Sequence, residues 1–294
     1  MLRSPLDALG CALFPSSCAL CGSPLPRLSS VPICEVCWAE LEAESEAVCV
    51  RCGDSLDLLS KQLPIPICRP CRLAPPPFVR AIAYGPYRGR MREAIHALKY
   101  DRLRPAARKL GTLLARAIEK LEGDTPSEML VVPVPLHRSK YAQRGFNQAR
   151  SLAAEAIAEL AKTKPEWKLT LASQTLMRLR ATQTQAGLTP RQRRMNVRGA
   201  FQVSDVTAVM QKHILLVDDI LTTGATARAA AQVLLRAGAA SVRVATLARA
   251  RRVDDTNEVF EQELKETNLG ARSYAYSRQA YEGLTDSSQD HPSF

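Results

Sequence analysis

Four C-x-x-C pairs lie in the first quarter of this 294-residue chain and constrain its fold more than any other feature. Twelve residues separate the first two pairs and fifteen separate the last two. Each C-x-x-C turn sets two thiolates on one side of a tight loop, and two such knuckles complete a tetrahedral zinc site. The spacing predicts two zinc ribbons, with ligands Cys18, Cys21, Cys34, Cys37, Cys49, Cys52, Cys68 and Cys71.

Disulfides in a secreted domain, or a redox dithiol, are the alternatives to zinc. We favour zinc because no secretion signal precedes the pairs and their spacing is regular. Four thiolates leave no open position, so the two zinc ions would be structural. The pairing stays open, since sequential knuckles and an interleaved cross-brace satisfy the same spacings. The ninth cysteine, Cys11, is predicted to be a small buried hydrophobe.

Residues 1–15 are predicted to form a short helix, with Leu6, Leu9 and Leu13 on one face. Asp7 and Pro15 leave an apolar stretch too short for a signal peptide. No run of 18 apolar residues appears, so we predict no transmembrane helix and expect the protein to stay in the cytosol.

The formal charge of +11 is concentrated in the middle of the chain. Residues 1–79 carry 6 basic and 8 acidic side chains, residues 80–252 carry 31 and 12, and residues 253–294 carry 3 and 9. A basic segment of this kind attracts polyanions, whether nucleic acid, anionic lipid or a small phosphorylated substrate. The charge alone does not show which of these polyanions the protein binds.

A proline-rich stretch, APPPF, predicts a domain boundary at residues 74–78. Beyond it, apolar runs alternate with helical patterns, which predicts a parallel α/β sheet with helices on both faces. The predicted strands are 81–84, 129–134, 214–217 and 241–247, and the predicted helices are 91–98, 104–121, 147–160 and 226–237. The predicted domains are a short helix (1–15), a double zinc ribbon (16–73), an α/β domain (79–252) and an acidic, partly disordered tail (253–294).

The stretch ILLVDDILTTGAT at residues 214–226 indicates a phosphate and sugar site. Its apolar strand runs into Asp218 and Asp219, and a Thr- and Gly-rich loop then opens a helix. In open α/β sheets, ligands bind at the carboxyl ends of strands. Helix N-terminal N–H groups and threonine hydroxyls can hold a phosphate monoester, while two carboxylates can accept hydrogen bonds from vicinal hydroxyls. The stretch therefore predicts binding of a ribose 5-phosphate group.

Two alternatives to a sugar-phosphate site are less compatible with this stretch. A P-loop ATPase is excluded because no G-x-x-x-x-G-K-[ST] pattern occurs in the chain. An ordinary turn between a strand and a helix could hold the acidic pair as a cap, but the combination of all the features disfavours it.

ILLVDDILTTGAT resembles the signature for 5-phosphoribosyl 1-diphosphate (PRPP) in type I phosphoribosyltransferases. Two further segments make this resemblance more specific. They are VPVPLHRSKYAQRGFNQA at residues 132–149 and the pattern R-x-T-x-x-Q-x-x-L, which begins at Arg180. With the four C-x-x-C pairs and Leu98-Lys99-Tyr100, the chain resembles the ComF family over residues 5–250. These are competence-associated proteins with a double zinc ribbon fused to a phosphoribosyltransferase domain. The resemblance implies a type I phosphoribosyltransferase-like parallel sheet flanked by helices.

The resemblance also implies roles for individual residues. Asp218 and Asp219 would hold the ribose hydroxyls, and the 5-phosphate would lie on Thr222, Thr223, Gly224, Ala225 and Thr226. Mg²⁺ would bridge diphosphate and ribose. The diphosphate loop would include Val134 and Pro135, with the cations Arg138, Lys140 and Arg144. Each of these cations could equally be a solvated loop residue.

Residues 180–198 resemble the mobile hood that closes over PRPP in this superfamily. Closure would exclude water from the reacting sugar carbon. The hood candidates are Arg180, Thr182, Gln185, Arg194 and Asn196. The alternative is a helix capped at Thr189-Pro190 with its arginines facing solvent.

Two classes of function follow from the sequence. The first is Mg²⁺-dependent phosphoribosyl transfer from PRPP to an acceptor that the sequence does not identify, in a protein associated with competence and DNA uptake. The second is a non-catalytic module that senses PRPP or handles single-stranded DNA, with the DNA-uptake machinery as partner. Aromatic residues are 5% of the chain, so stacking platforms for single strands are scarce.

Overall fold

A computed structural model describes residues 16–27, 29, 31–100, 103–123, 125–181, 192, 195 and 197–251. The predicted N-terminal helix over 1–15 and the acidic tail over 253–294 lie outside these described residues, as does Cys11. The domain boundaries therefore remain predictions.

Short helices accompany the cysteine pairs in the N-terminal region. They are α1 (Glu35–Ala39), α2 (Leu58–Lys61) and α3 (Arg69–Leu73). Cys34 and Cys68 each stand immediately before a helix, as N-caps of α1 and α3. Gly22 and Gly53 follow their knuckles at φ 74° and 65°, a conformation that glycine adopts without steric cost.

The rest of the described chain alternates strands and helices. The elements are β1 (Arg80–Pro86), α4 (Gly89–Tyr100), α5 (Ala106–Glu119), β2 (Glu128–Pro133), α6 (Arg138–Arg144), α7 (Gln148–Thr163), β3 (Lys168–Leu171), β4 (Leu176–Arg178), β5 (Phe201–Val203), β6 (His213–Leu221), α8 (Ala225–Arg236) and β7 (Ser241–Arg249). None of the helices in the described parts of the chain is both long and apolar enough to cross a membrane.

Five strands form a parallel sheet in the order β1-β7-β6-β2-β3, which confirms the predicted fold class. The chain moves from β2 outward to β3 on one side and from β6 outward to β7 on the other, and the first strand, β1, lies at the edge beyond β7. The topological switch point therefore lies between β2 and β6. A crevice opens outside the carboxyl ends of strands at such a point, and ligands of open α/β sheets bind there.

Alternate residues of the central strands pack into two hydrophobic cores, one on each face of the sheet. Leu215 and Val217 pack with α4, α5 and α7, whereas Ile214 and Leu216 pack with α8 and the β4–β5 hairpin. This alternation follows from the two-residue period of a strand and requires near-continuous apolar sequence. The first ribbon joins the same core as α4 and α5, since Cys37 and Leu41 belong to that cluster.

The structure adds elements that the sequence patterns did not reveal. The short strand β3 and the antiparallel hairpin of β4 and β5 were not predicted, and they are too short and too exposed to carry a clear pattern. Strand β6 also continues through the acidic pair, because β7 offers pairing partners as far as Arg249. Helix α6 stands where the diphosphate loop was predicted to continue.

Candidate functional site

A cavity of about 340 Å³ opens at the switch point between β2 and β6. Its wall includes the end of β6, the loop that enters α8, the loop that follows β2, and residues from α4, α6, α7 and β4. The cavity thus lies where the topology places a ligand crevice, and its wall brings together segments separated by more than a hundred residues of sequence.

The acidic pair Asp218 and Asp219 lines this cavity. Asp219 is nine-tenths buried, and its Oδ2 pairs with Nζ of Lys99 at 2.9 Å. Asp218 accepts a hydrogen bond from the Asp219 backbone N–H at 2.9 Å. Burial and the neighbouring Asp219 charge raise the pKa of Asp218 to about 7, although Lys99 and Arg178 act in the opposite direction. The ionised pair is therefore costly to maintain in the folded protein.

Lys99 stands in the last turn of α4. Burial lowers the pKa of its ammonium group, but the Asp219 carboxylate outweighs burial, so the pKa of Lys99 is raised overall. A cation at a helix C-terminus also interacts favourably with the helix dipole. Lys99 is thus held charged against the carboxylate that was predicted to bind ribose.

Cations outnumber carboxylates in the lining of the cavity. Among its described residues are four cations, Lys99, Lys140, Arg144 and Arg178, and two carboxylates. Burial, together with repulsion from Arg178, Arg144 and Lys99, lowers the pKa of Lys140. Burial also lowers the pKa of Arg178, against the attraction of Asp218. Positive charge crowded in a part-buried cleft favours a multiply charged anion.

Buried donor atoms of Arg144 and Gln148 have no hydrogen-bond partner among the described residues. They are Nε of Arg144 and Nε2 of Gln148, a side chain only 1% exposed. Arg144 also donates to Gln148 Oε1 at 3.1 Å and packs on the Tyr100 ring, which orients its guanidinium. Buried polar atoms in native proteins normally have partners, so these donors indicate room for a ligand.

The loop after β2 is held in place by Asn147. Its Nδ2 donates to the Val134 carbonyl at 3.0 Å, while its Oδ1 accepts from the Arg150 N–H and caps α7. Gly145 ends α6 at φ 74°, and its carbonyl accepts from Arg104 at 2.8 Å. The C-terminal end of α6 is therefore tied to the segment before α5, and the loop after β2 is tied to the start of α7.

Residues 222–226 lead from β6 into α8, and they are called the phosphate loop after the ligand that the sequence predicts for them. Gly224 has φ 75° and is the N-cap of α8, and Thr223 Oγ1 accepts from the Ala225 N–H at 3.4 Å. A twelve-residue helix thus begins at the cavity wall with its N-terminal N–H groups there. Such a terminus favours phosphate through its donors and its dipole.

The structure brings most of the predicted site residues into one wall. Asp218, Asp219, Thr222, Gly224, Ala225, Thr226, Val134, Lys140 and Arg144 line the cavity. Thr223, Pro135, Arg138 and Arg180 are not part of its lining, and Arg180 donates instead to the Arg198 carbonyl at 2.7 Å. The hood candidates Thr182, Gln185, Arg194 and Asn196 lie outside the described residues.

Sequence reasoning did not assign site roles to Lys99, Arg178 or Gln148. The sequence did contain a pattern that pointed to Lys99, since this residue is a cation at the end of an amphipathic helix. No sequence pattern pointed to Arg178, because its hairpin was not recognised. Gln148 could not be distinguished from any other polar residue in the first turn of a helix.

The eight paired cysteines form two separate clusters. Cys18, Cys21, Cys34 and Cys37 lie together, as do Cys49, Cys52, Cys68 and Cys71, with all ligand atoms within 4.8 Å in each cluster. The sulfur separations of 3.6 to 3.8 Å match the edge of a tetrahedron with zinc–sulfur bonds of about 2.3 Å. The geometry fits structural zinc and shows sequential pairing of the knuckles.

Comparison with known sequences agrees with both halves of this architecture. Residues 10–73 match the family description "Double zinc ribbon domain", and residues 142–268 match "Phosphoribosyl transferase domain". The chain is 35% identical to DNA utilization protein YhgH of Salmonella typhimurium over 80% of its own length and 97% of that protein. It is 25% identical to Competence protein F of Haemophilus influenzae, over 74% of its length and 90% of that protein.

The chain belongs to the ComF family. This membership confirms the resemblance drawn from the sequence. The ComF chain also overlaps a solved allosteric regulatory enzyme of purine biosynthesis, with a TM-score of 0.30, 21% identity, and coverage of 49% of this chain and 26% of the enzyme. An overlap this loose carries no argument about function.

Proposed function

We propose that this ComF protein binds PRPP in the switch-point cavity and transfers its phosphoribosyl group, with Mg²⁺, to a nucleophilic acceptor. The observation that carries the proposal is the arrangement of the cavity wall. A carboxylate pair, a helix N-terminus and the cations Lys140, Arg144 and Arg178 line one cavity. A ribose carrying a 5-phosphate and a 1-diphosphate presents hydroxyls and two anionic groups, so it matches this set of acceptors and donors.

Each end of PRPP has a counterpart in the wall. The 5-phosphate binds to the phosphate loop at the start of α8, and the ribose hydroxyls donate hydrogen bonds to Asp218 and Asp219. Lys99 shares Asp219 with the sugar, and this ion pair fixes the direction of the carboxylate. The diphosphate lies against the cations of α6 and β4, where charge-assisted hydrogen bonds are strongest.

In the transfer, the bond between the anomeric carbon and the diphosphate oxygen breaks as the acceptor's lone pair forms a new bond to that carbon. The electron pair of the broken bond leaves with diphosphate, and Lys140 and Arg144 stabilise its charge. Asp218 and Asp219 lie on the sugar side, where they stabilise the cationic character that develops on the ribose. Mg²⁺ would be held next to Asp218 and Asp219 and, when bound, would supply further charge neutralisation to the leaving group.

The test combines calorimetry with product analysis. Wild-type chain is titrated with PRPP and Mg²⁺, alongside Asp218→Asn/Asp219→Asn, and the double variant is expected to lose binding. Asp205→Asn is the matched control, because Asp205 is exposed and outside the cavity wall. Diphosphate release is then screened with bases, amines and DNA as acceptors. Absence of PRPP binding by the wild type would refute the proposal.

A second candidate is a DNA-handling module, favoured by the names of the relatives and by the basic middle of the chain. In that case, the cations of the cavity wall bind the phosphates of single-stranded DNA, and the partner is DNA-uptake machinery. Single-strand affinity is then expected to fall steeply with added salt and to compete with PRPP. Affinity that does not depend on salt would exclude this binding mode.

A further inference from the structure

A buried ion pair connects the second zinc ribbon to the end of the sheet. Nη2 of Arg249, the last residue of β7, lies 2.7 Å from Oδ2 of Asp54. The two side chains are 2% and 5% exposed and are separated by 195 residues of sequence. Asp54 follows the knuckle formed by Cys49 and Cys52, so a zinc-ribbon residue reaches into the α/β core.

The other nitrogen of the same guanidinium holds the backbone that leads into the phosphate loop. Nη1 of Arg249 donates to the Leu221 carbonyl and the Ala250 carbonyl, each at 2.8 Å, and to the Thr222 carbonyl. Leu221 and Thr222 both line the cavity. One buried cation thus connects the ribbon carboxylate to the first two peptide units of the loop.

These carbonyl contacts also fix the direction in which the backbone N–H groups of the same peptide units point. In a planar trans peptide, the C=O and the N–H of one unit point in opposite directions. With the Leu221 and Thr222 carbonyls turned toward Arg249, the N–H groups of Thr222 and Thr223 must point away from it. Such fixed donors bind an anion without reorganisation, which is how a preorganised site gains affinity.

Asp54 is itself held firmly by its ribbon. Its carbonyl accepts from the Cys49 N–H at 2.8 Å, and the Ala81 N–H donates to the Arg51 carbonyl at 2.9 Å. A side chain at Gly53 would lie 3.1 Å from the Ala81 carbonyl oxygen, so the knuckle approaches β1 closely. The knuckle and the sheet therefore act as one support for the Asp54 carboxylate.

We propose that Arg249 is a positioning residue for the phosphate loop and that Asp54 of the second zinc ribbon holds Arg249 in that role. The proposal rests on the proposed function, since it concerns the loop that takes the 5-phosphate. A buried ion pair often stabilises a fold no more than apolar packing would, and in some proteins its role is to select one arrangement of charged groups. Here the arrangement selected is that of the two peptide units entering the loop.

The test separates the two ends of PRPP by using ribose 5-phosphate and inorganic diphosphate as probes of the full-length chain. Asp54→Asn keeps the shape of the side chain and removes its charge. We expect it to bind ribose 5-phosphate about tenfold more weakly and to keep its diphosphate affinity within about twofold. Metal analysis is expected to give the same zinc content as wild type. Glu42→Gln is the matched control, because it breaks an exposed ion pair with Arg88 and leaves Arg249 untouched.

Arg249→Lys keeps a cation opposite Asp54 but lacks the fork that reaches several carbonyls at once. We expect Arg249→Lys also to lose affinity for ribose 5-phosphate while keeping its affinity for diphosphate. If Asp54→Asn loses zinc or fails to fold, the result for Arg249→Lys tests the proposal instead. Unchanged ribose 5-phosphate affinity in Arg249→Lys would overturn the proposal, as would equal weakening of both probes. If wild type bound neither probe, the proposed function itself would fail, and this would be visible before any variant is compared.

Discussion

Replacing Asp218 by asparagine is expected to stabilise the fold while abolishing PRPP binding. Burial and the Asp219 charge raise the pKa of Asp218 from its ordinary 3.8 to about 7 in the folded chain. Because the folded pKa lies above the unfolded one, this group's contribution to stability is full below about pH 4 and is lost as pH rises toward 7. Asparagine resembles the neutral acid and avoids that loss.

The size of the effect follows from the two pKa values. The difference between the folded and unfolded pKa values lowers the free energy of unfolding, relative to a neutral side chain at this position. The loss is about 2 kcal/mol at pH 5.5 and about 4 kcal/mol at pH 8. The free energy of unfolding of Asp218→Asn is therefore expected to exceed that of wild type at both values, with the gap about 2 kcal/mol wider at pH 8. A site kept at such a cost is typical of function.

The assay is urea unfolding at pH 5.5 and pH 8 with zinc present, so that the ribbons stay loaded in both proteins. Asp205→Asn is the control, because hydrogen bonds from Thr207 lower the pKa of Asp205 and its replacement offers no gain. A stability difference between Asp218→Asn and wild type that did not change with pH would refute the electrostatic reasoning. A variant less stable than wild type at pH 8 would refute it more strongly.

Three further outcomes are expected. Cys68→Ser removes one ligand of the second cluster, so metal analysis should find about one zinc per chain in place of about two; unchanged zinc would contradict the assignment of four cysteine ligands to each ion. Arg144→Met should weaken inorganic diphosphate about tenfold in calorimetry, whereas Arg138→Met, on the same helix but not on the cavity wall, should not. Gly224→Ala, at φ 75°, should cost about 1 kcal/mol in urea unfolding and weaken ribose 5-phosphate. Gly123→Ala, at φ 94° in open space, should show comparable strain without affinity loss.

Much of the fold could be predicted because its signals are local. A C-x-x-C turn brings its own two ligands together, and a fully buried strand needs apolar residues on both faces. The strand ending in Asp218 and Asp219 was recognisable for that reason, as were the helices with an apolar stripe. The hairpin of β4 and β5 was missed, since three-residue strands alternate too few times to register.

The sequence by itself determined the cysteine clusters that fit zinc, the parallel α/β class and the acidic pair beside a Thr- and Gly-rich turn. Tertiary structure decided which knuckles share a metal, which cations face Asp218 and Asp219, and which donors remain for a ligand. Lys99, Arg178 and the contact between Asp54 and Arg249 belong to this second group. Their partners are distant in sequence, so only the packing of the helices, the hairpin and the ribbon around the sheet brings these residues together.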